Sequence, residues 1–480
     1  MLITLECVLL ALQAVAAVRI PLHSPFEITS QSNNRLSKRS PVELGGGIDQ
    51  CFTMRFNVDG VDLNLQVESS VFDIVVPLPS SSNDVGLAIQ SISSGEPVSI
   101  KYKGDEYNGV TSTAAVTIPG TSITDINLPV VAVERQSPDL VGIGGTLKQG
   151  VFGFGYTLLS NHHSRITAMD ALYNDGAIPK NEVSLQLCQY DMLHESFINI
   201  GNTDITPKCG TDGKSVAWVD SPTNDEFTVN IKSILVNGKQ VELPAEFQKK
   251  QGKDGRTLYS YLQTCFLCIV LPEKVVTTLI NAILDSNAIT VKGSMLRRKL
   301  GKEKVKKKLQ ANSLMFKSNY NINWDRMPTI SVVMYAQTPV TYDNSNSVVT
   351  IKLGPKDYMW KYDSEKFRFT VKSGSNDKAT LGMSFMSQLA VTFDRQNKRI
   401  GFGPGCGCET ATSKYPTISN GYRVLWPLTH VRLPEQPSTS GSDGAFIRKR
   451  KPTTTTNQVA VPENTRHTVK SHKQTLNKLD

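Results

Sequence analysis

Beyond its first residues the 480-residue sequence has no uninterrupted apolar run of about 18 residues, so no transmembrane anchor is expected. It has no Asn-x-Ser/Thr acceptor, and N-glycosylation is not expected. His-Glu-x-x-His and the Gly-x-Ser-x-Gly elbow are missing, and Gly213-Lys214-Ser215 lacks the upstream glycine of a phosphate loop. Zinc-peptidase, serine-hydrolase and nucleotide-hydrolysing chemistry therefore have no motif to rest on. Gly401 to Gly407 is glycine-rich but leads into Cys408 and a polar tail rather than a helix, which excludes a dinucleotide site. Helical periodicity is scarce, with candidates only at Ser164 to Asn174 and Pro272 to Asp285.

What is present is an ordinary globular composition, 39% hydrophobic and 20% charged, with a formal charge of +9. The charge is local. Lys292 to Lys308 holds nine Lys or Arg against one Glu, and Gly441 to Asp480 eight against three, so the rest of the chain is mildly acidic. Leu2 to Val18 is a short apolar run ending in small residues, which predicts a secretory signal at 1–17. A polar, pro-segment-like region follows at 18–46, and its dibasic Lys38-Arg39 reads equally as a processing site or as two solvated charges. From 411 to 480 Pro, Ser, Thr and Lys dominate, which predicts a disordered basic tail.

Between these ends the pattern is strand. Phe52, Met54, Phe56 and Val58, then Val61, Leu63, Leu65 and Val67, alternate on either side of Asp59-Gly60, a hairpin with a type I′ turn. Phe227 to Leu243 repeats it around Asn237-Gly238. The chain also carries an internal duplication. Gln66 to Pro77 lies over Tyr261 to Pro272 without a gap, each copy an apolar strand, a small polar turn, a second apolar strand and a closing Pro. Val151-Phe152-Gly153 follows the first copy and Leu381-Gly382 the second. The fold class is mainly β with short helices, in two similar lobes at 47–189 and 190–410, the second carrying the basic insert at 292–308.

From Cys51 to Cys408 the chain resembles the pepsin family of aspartic peptidases. Leu65 to Pro77 resembles the family's first signature, which runs from an apolar strand through Asp-Thr-Gly-Ser to a Trp-Val-Pro-like end. Tyr102 is similar to the tyrosine of the flap that closes over substrate. Gly150 to Tyr156 and Phe393-Asp394-Arg395-Gln396-Asn397-Lys398-Arg399-Ile400-Gly401-Phe402 resemble the later signatures, the last most specifically. Ser184 to Cys188 and Ile118-Pro119 lean towards the beta-secretase branch. The resemblance implies a bilobal acid-protease fold of two β-barrel-like lobes with a central cleft for an extended peptide, and no cofactor or metal.

The departures fall on the chemistry. An active member brings together two nearly equivalent acids, so that one keeps a proton while the other acts as base. Here those positions are Glu68 and Gln263. The extra methylene of Glu moves its carboxyl by roughly an ångström, enough to cost ~10²-fold in a positioned reaction. Gln does not exchange protons. The supporting hydroxyls persist as Ser69 and Thr264, while the glycines after them are Ser70 and Cys265. Lys103 and Asp105 replace the small residues of the flap bend, and Val75 replaces the tryptophan that holds the flap tyrosine. Asp73, on the exit strand, does not restore the pair.

These residues predict a secreted, catalytically inactive family member that binds an extended peptide or protein partner in its cleft. Two alternatives stand beside it: an active endopeptidase using Glu68 as its single acid, and a heparin-like polymer or surface-binding protein acting through the basic insert. That insert lacks interleaved aromatics and reads by default as a solvated flexible loop, with no nucleic acid expected as partner. Cys7 lies in the signal, leaving seven cysteines, so at least one is a free thiol or bridges another chain. The resemblance implies that Cys188 pairs with Cys406 or Cys408. Cys265 and Cys268 read as two small core residues, and His162-His163 as a solvated pair.

Overall fold

The computed structural model describes residues 19–21, 51–77, 95–102, 105–119, 121–133, 150–156, 166–187, 196–201, 216–250, 252, 257–293, 301–405 and 414–426. Both hairpins form where expected. Strands Thr53–Val58 and Val61–Glu68 pair with Thr53 opposite Gln66, and Asp59 and Gly60 both take positive φ, 48° and 81°. Ile231–Val236 and Lys239–Val241 do the same around Asn237 and Gly238, at 50° and 76°. The type I′ turn requires that geometry at both central positions.

The first hairpin opens a seven-stranded sheet, continued by Val151–Gly153, Ile74–Pro77, Ile126–Val133, Asp105–Thr117 and Pro97–Tyr102. Thr53–Val58 also pairs with Asp105–Thr117, so the sheet curls back on itself. The inward set of alternating residues, Met54, Phe56, Leu63, Leu65 and Val67 among them, is at most 1% exposed. The second lobe is built on a five-stranded sheet, Thr228–Val229, Ser260–Leu262, Thr380–Leu381, Ile269–Pro272 and Val371–Gly374, and a six-stranded one centred on Ile231–Val236, Ile330–Tyr335 and Val348–Leu353.

A fourth sheet, of six strands, joins the lobes. Glu182–Gln186 of the first lobe lies between Phe197–Ile200 and Leu389–Asp394 of the second, and Arg399–Pro404 and Ala217–Asp220 complete the sheet. Arg19–Pro21 adds an edge strand to Phe197–Ile200. Phe154, Phe227 and Phe393 meet beneath this sheet with ring centroids 4.7 to 5.8 Å apart. Arg395, itself buried, donates to both Asp170 carboxylate oxygens (2.7 and 3.2 Å), to Asn181 Oδ1 (2.7 Å) and to the Gly155 carbonyl (3.1 Å).

Three expectations need correction. The helix expected from Ser164 is Ala168–Asn174 among the described residues, because Thr167 Oγ1 accepts from Asp170 N and caps it there. The basic insert is not a solvated loop over its second half. Gly301–Gln310 is a helix that buries Val305 and Leu309, one turn apart, and packs on the apolar face of Glu273–Asp285. The tail is ordered at 414–426, where Thr417–Asn420 and Arg423–Trp426 extend the six-stranded sheet beside Val348–Leu353 and Ile418 is fully buried opposite Ile351. In both cases a few apolar residues at the right period outweigh a polar composition. No helix among the described residues is long and apolar enough to cross a membrane.

Candidate functional site

The duplicated segments build two matching loops. In the first lobe Val61–Glu68 leads into the loop and Ile74–Pro77 leads out, with Val151–Gly153 threaded between them, parallel to the first (Glu68 opposite Gly153) and antiparallel to the second (Ile74 opposite Phe152). In the second, Ser260–Leu262 and Ile269–Pro272 flank Thr380–Leu381 in the same senses. Glycine closes each arrangement for a steric reason. A Cβ on Gly153 would sit 2.5 Å from the Val71 carbonyl, and one on Gly382 2.2 Å from that of Phe266.

The loops meet through four reciprocal hydrogen bonds. Ser69 N donates to Thr264 Oγ1 (3.0 Å) and Thr264 N to Ser69 Oγ (3.1 Å). Ser69 Oγ donates to the Leu262 carbonyl (3.0 Å) and Thr264 Oγ1 to the Val67 carbonyl (2.9 Å). Each bond has its twin under the internal two-fold, so the supporting pair read from the sequence is brought together.

Glu68 is 3% exposed, and its Oε1 accepts from both Ser70 N (3.0 Å) and Ser70 Oγ (2.9 Å). Its extra methylene lets the carboxyl fold back over its own turn. Gln263 is half-buried, its N–H held by the Leu381 carbonyl at 3.1 Å. Asp73 is buried one residue before the exit strand, with its carbonyl taken by Gly153 N. Val75 packs in a small apolar cluster with Val98 and Ile100 of the Pro97–Tyr102 strand. Tyr102 ends that strand opposite Asp105 in a hairpin; its side chain, with Cys188, Cys406, Cys408, His162-His163 and Lys38-Arg39, lies outside the described residues.

Thus the second lobe's loop carries an uncharged amide where the first carries an acid, on a scaffold that is otherwise two-fold. A profile of the eukaryotic aspartyl protease family matches residues 88–405, more than half of the chain. The chain belongs to the eukaryotic aspartyl protease family. The matched span includes the Gln263 loop and begins after the Glu68 loop.

This aspartyl protease homologue also holds features that sequence reading missed. Cys265 is not merely a small core residue. It forms a disulfide with Cys51, Cα atoms 4.5 Å apart, which ties the two lobes together beneath the loops. The signal was available: the Thr53–Gln66 register, carried two residues back, sets Cys51 opposite Glu68, and the duplication aligns Cys265 with Ser70. The side-chain oxygen of Gln66 lies 3.0 Å from Cys51 Sγ and 3.4 Å from Cys265 Sγ.

Glu226 is the second such feature. Thr228 pairs with Tyr261, and Leu262 N donates to the Phe227 carbonyl at 2.9 Å. One further step in that register sets Glu226 opposite Gln263. Burial, then the charge of Asp225, pushes its carboxyl up to about 7; Lys378 pulls it down, and the charge of Glu68 adds the smallest contribution to the rise. Lys378 Nζ donates to Tyr261 Oη (3.1 Å) and lies 4.5 Å from the ring centroid. Glu226 directly precedes Phe227, which is buried against Phe393.

Proposed function

We propose that this family member binds an extended peptide segment in its interlobe cleft and does not cleave it by the family's paired-acid route. The observation that carries the reading is the asymmetry of the loops. The Ser69–Thr264 hydrogen bonds that shape the cleft floor are complete, while Gln263 replaces one acid and Glu68 turns its carboxyl onto Ser70. Water activation needs a base and a proton donor in register on one water, whereas peptide binding needs only the cleft. The secretory signal at 1–17, processing at Lys38-Arg39 and a cleft-bound protein partner belong to the same proposal.

The test is cleavage of a quenched peptide library between about pH 3 and 7, where a carboxyl pair titrates, by the protein and by the Glu68→Asp, Gln263→Asp double variant. A silent wild type and an active double variant are expected. Cleavage by the wild type that Glu68→Gln abolishes overturns the proposal.

One observation favours residual hydrolysis as a second reading. Glu226 places another carboxyl opposite Gln263, within the electrostatic reach of Glu68. On that reading both Glu68→Gln and Glu226→Gln lose any wild-type cleavage; on the first reading there is none to lose. The basic helix Gly301–Gln310 has its apolar face already buried, so binding to an acidic polymer there would rest on charge alone.

A further inference from the structure

Two open polar groups lie together on the floor of the cleft. Glu226 and Gln263 are both half-buried, and the pairing of Thr228 with Tyr261 sets them opposite one another. Directly opposed side chains of such a pairing start about 5 Å apart. The backbone of Glu226 is satisfied, its N–H by Asp225 Oδ1 (2.9 Å) and its carbonyl by Thr223 Oγ1 (2.8 Å), but its carboxyl meets no donor and no ion-pair partner among the described residues. The side-chain amide of Gln263 likewise meets none; only its backbone N–H is taken, by the Leu381 carbonyl.

The surroundings of the pair are negative. Asp225 on its own segment and, more weakly, Glu68 from the first lobe add to the Glu226 charge. The one cation that acts on it, Lys378, is held by Tyr261 Oη at 3.1 Å and does not offset burial and Asp225. A half-buried charge without a counter-ion is costly, and a cation arriving with a ligand removes that cost. No three metal-binding side chains gather among the described residues, so a metal ion has no ligand set here. Gln263 keeps an acceptor oxygen where an acid would add a further negative charge.

We propose that the cleft selects extended peptides carrying an arginine, whose guanidinium donates to the Glu226 carboxylate and to Gln263 Oε1 together. The inference rests on the peptide-binding reading of the cleft and names the kind of peptide. A guanidinium presents its N–H donors as a planar fork that bridges two acceptors a few ångströms apart, whereas a lysine ammonium is a point charge, so lysine binds there more weakly. Three carboxylates, Glu68, Asp225 and Glu226, against the single ammonium of Lys378 favour a cation and reject an acidic side chain. The contact needs the ionised carboxylate, so the arginine preference is full above about pH 7 and fades as pH falls below it.

Fluorescence anisotropy of the full-length protein with labelled octapeptide pools tests this, the fourth position fixed as arginine, lysine, citrulline or glutamate and the others drawn from alanine, serine, leucine and phenylalanine. At pH 8 the arginine pool should bind about tenfold more tightly than the citrulline pool, which keeps the shape without the charge, with lysine between them and glutamate weakest. Glu226→Gln should cut the arginine advantage to about twofold or less, and Gln263→Leu should bring arginine down to the level of lysine. The wild-type advantage should shrink several-fold from pH 8 to pH 5. Equal binding of the arginine and citrulline pools overturns the proposal while the peptide-binding reading stands, and so does an advantage that ignores pH; neither comparison needs a variant to fold. An advantage that survives Glu226→Gln overturns it as well. Absence of binding by every pool overturns both. Shortening of the peptides overturns only the non-cleaving reading, because the arginine preference is then read from which pool is cut.

Discussion

Removing the Cys51–Cys265 disulfide tests how the cleft floor is held. The bridge closes a loop of 214 residues, and the chain-entropy relation assigns a loop of that length about 5 kcal/mol of unfolded-state restriction. Measured losses for native bridges lie at about 2–5 kcal/mol, and the Ser69–Thr264 hydrogen bonds remain to hold the loops together. Cys51→Ala, Cys265→Ala is the cleaner variant, since both sites are nearly inaccessible and a serine hydroxyl there would add a burial cost. The assay is equilibrium unfolding in guanidinium, with and without reductant. The double variant should unfold about 2–5 kcal/mol more easily than the oxidised wild type, and reductant should move the wild type towards it. Peptide mapping without reduction should recover the 51–265 pair. A wild type that unfolds at the same denaturant concentration as the double variant, with reductant inert on both, would refute the reasoning.

Three further outcomes follow from the packing. Thr264→Val strands Ser69 N–H and the Val67 carbonyl and should cost about 2–4 kcal/mol, whereas Thr264→Ser should recover most of it; denaturant titration of the pair decides. Arg395→Met leaves Asp170 without its buried cation and should cost about 3–5 kcal/mol at neutral pH. Burial raises the Asp170 pKa, but the charge and hydrogen bonds of Arg395, with the hydrogen bonds from Thr167 and Asn181, together outweigh it and hold the carboxyl below its usual range. That stability is therefore present above the unfolded pKa and lost as pH falls through the folded one, so the gap between wild type and variant should narrow in acid. For Glu226 the sign reverses: its folded pKa is about 7, above the ordinary value, so ionisation costs stability as pH rises from about 4.5 to 7. Glu226→Gln should be near neutral at pH 4 and stabilising by about 1–2 kcal/mol at pH 8 after solvent screening, read by thermal unfolding across pH.

The sequence by itself determined the β class, both type I′ hairpins and the duplicated loop, because each depends on spacing within a few residues or on one repeat; the Ser69–Thr264 pair was legible only through the family resemblance. Strand alternation and Asp-Gly or Asn-Gly turns are local codes. That an uncharged Gln263 stands where the repeat aligns Glu68 was likewise legible. Tertiary structure alone decided the rest. Val305 and Leu309 fix a lysine-rich run as a helix because Glu273–Asp285 and Ile289–Val291 pack against it. Ile418 orders part of a polar tail only because a sheet edge stands open beside Ile351. Glu226 comes opposite Gln263 through the pairing of Thr228–Val229 with Ser260–Leu262, and the Cys51–Cys265 bridge, hinted at by the repeat, closes only where the two lobes meet. Their chemistry arises from burial and neighbouring charge, which no residue carries until the chain has folded around it.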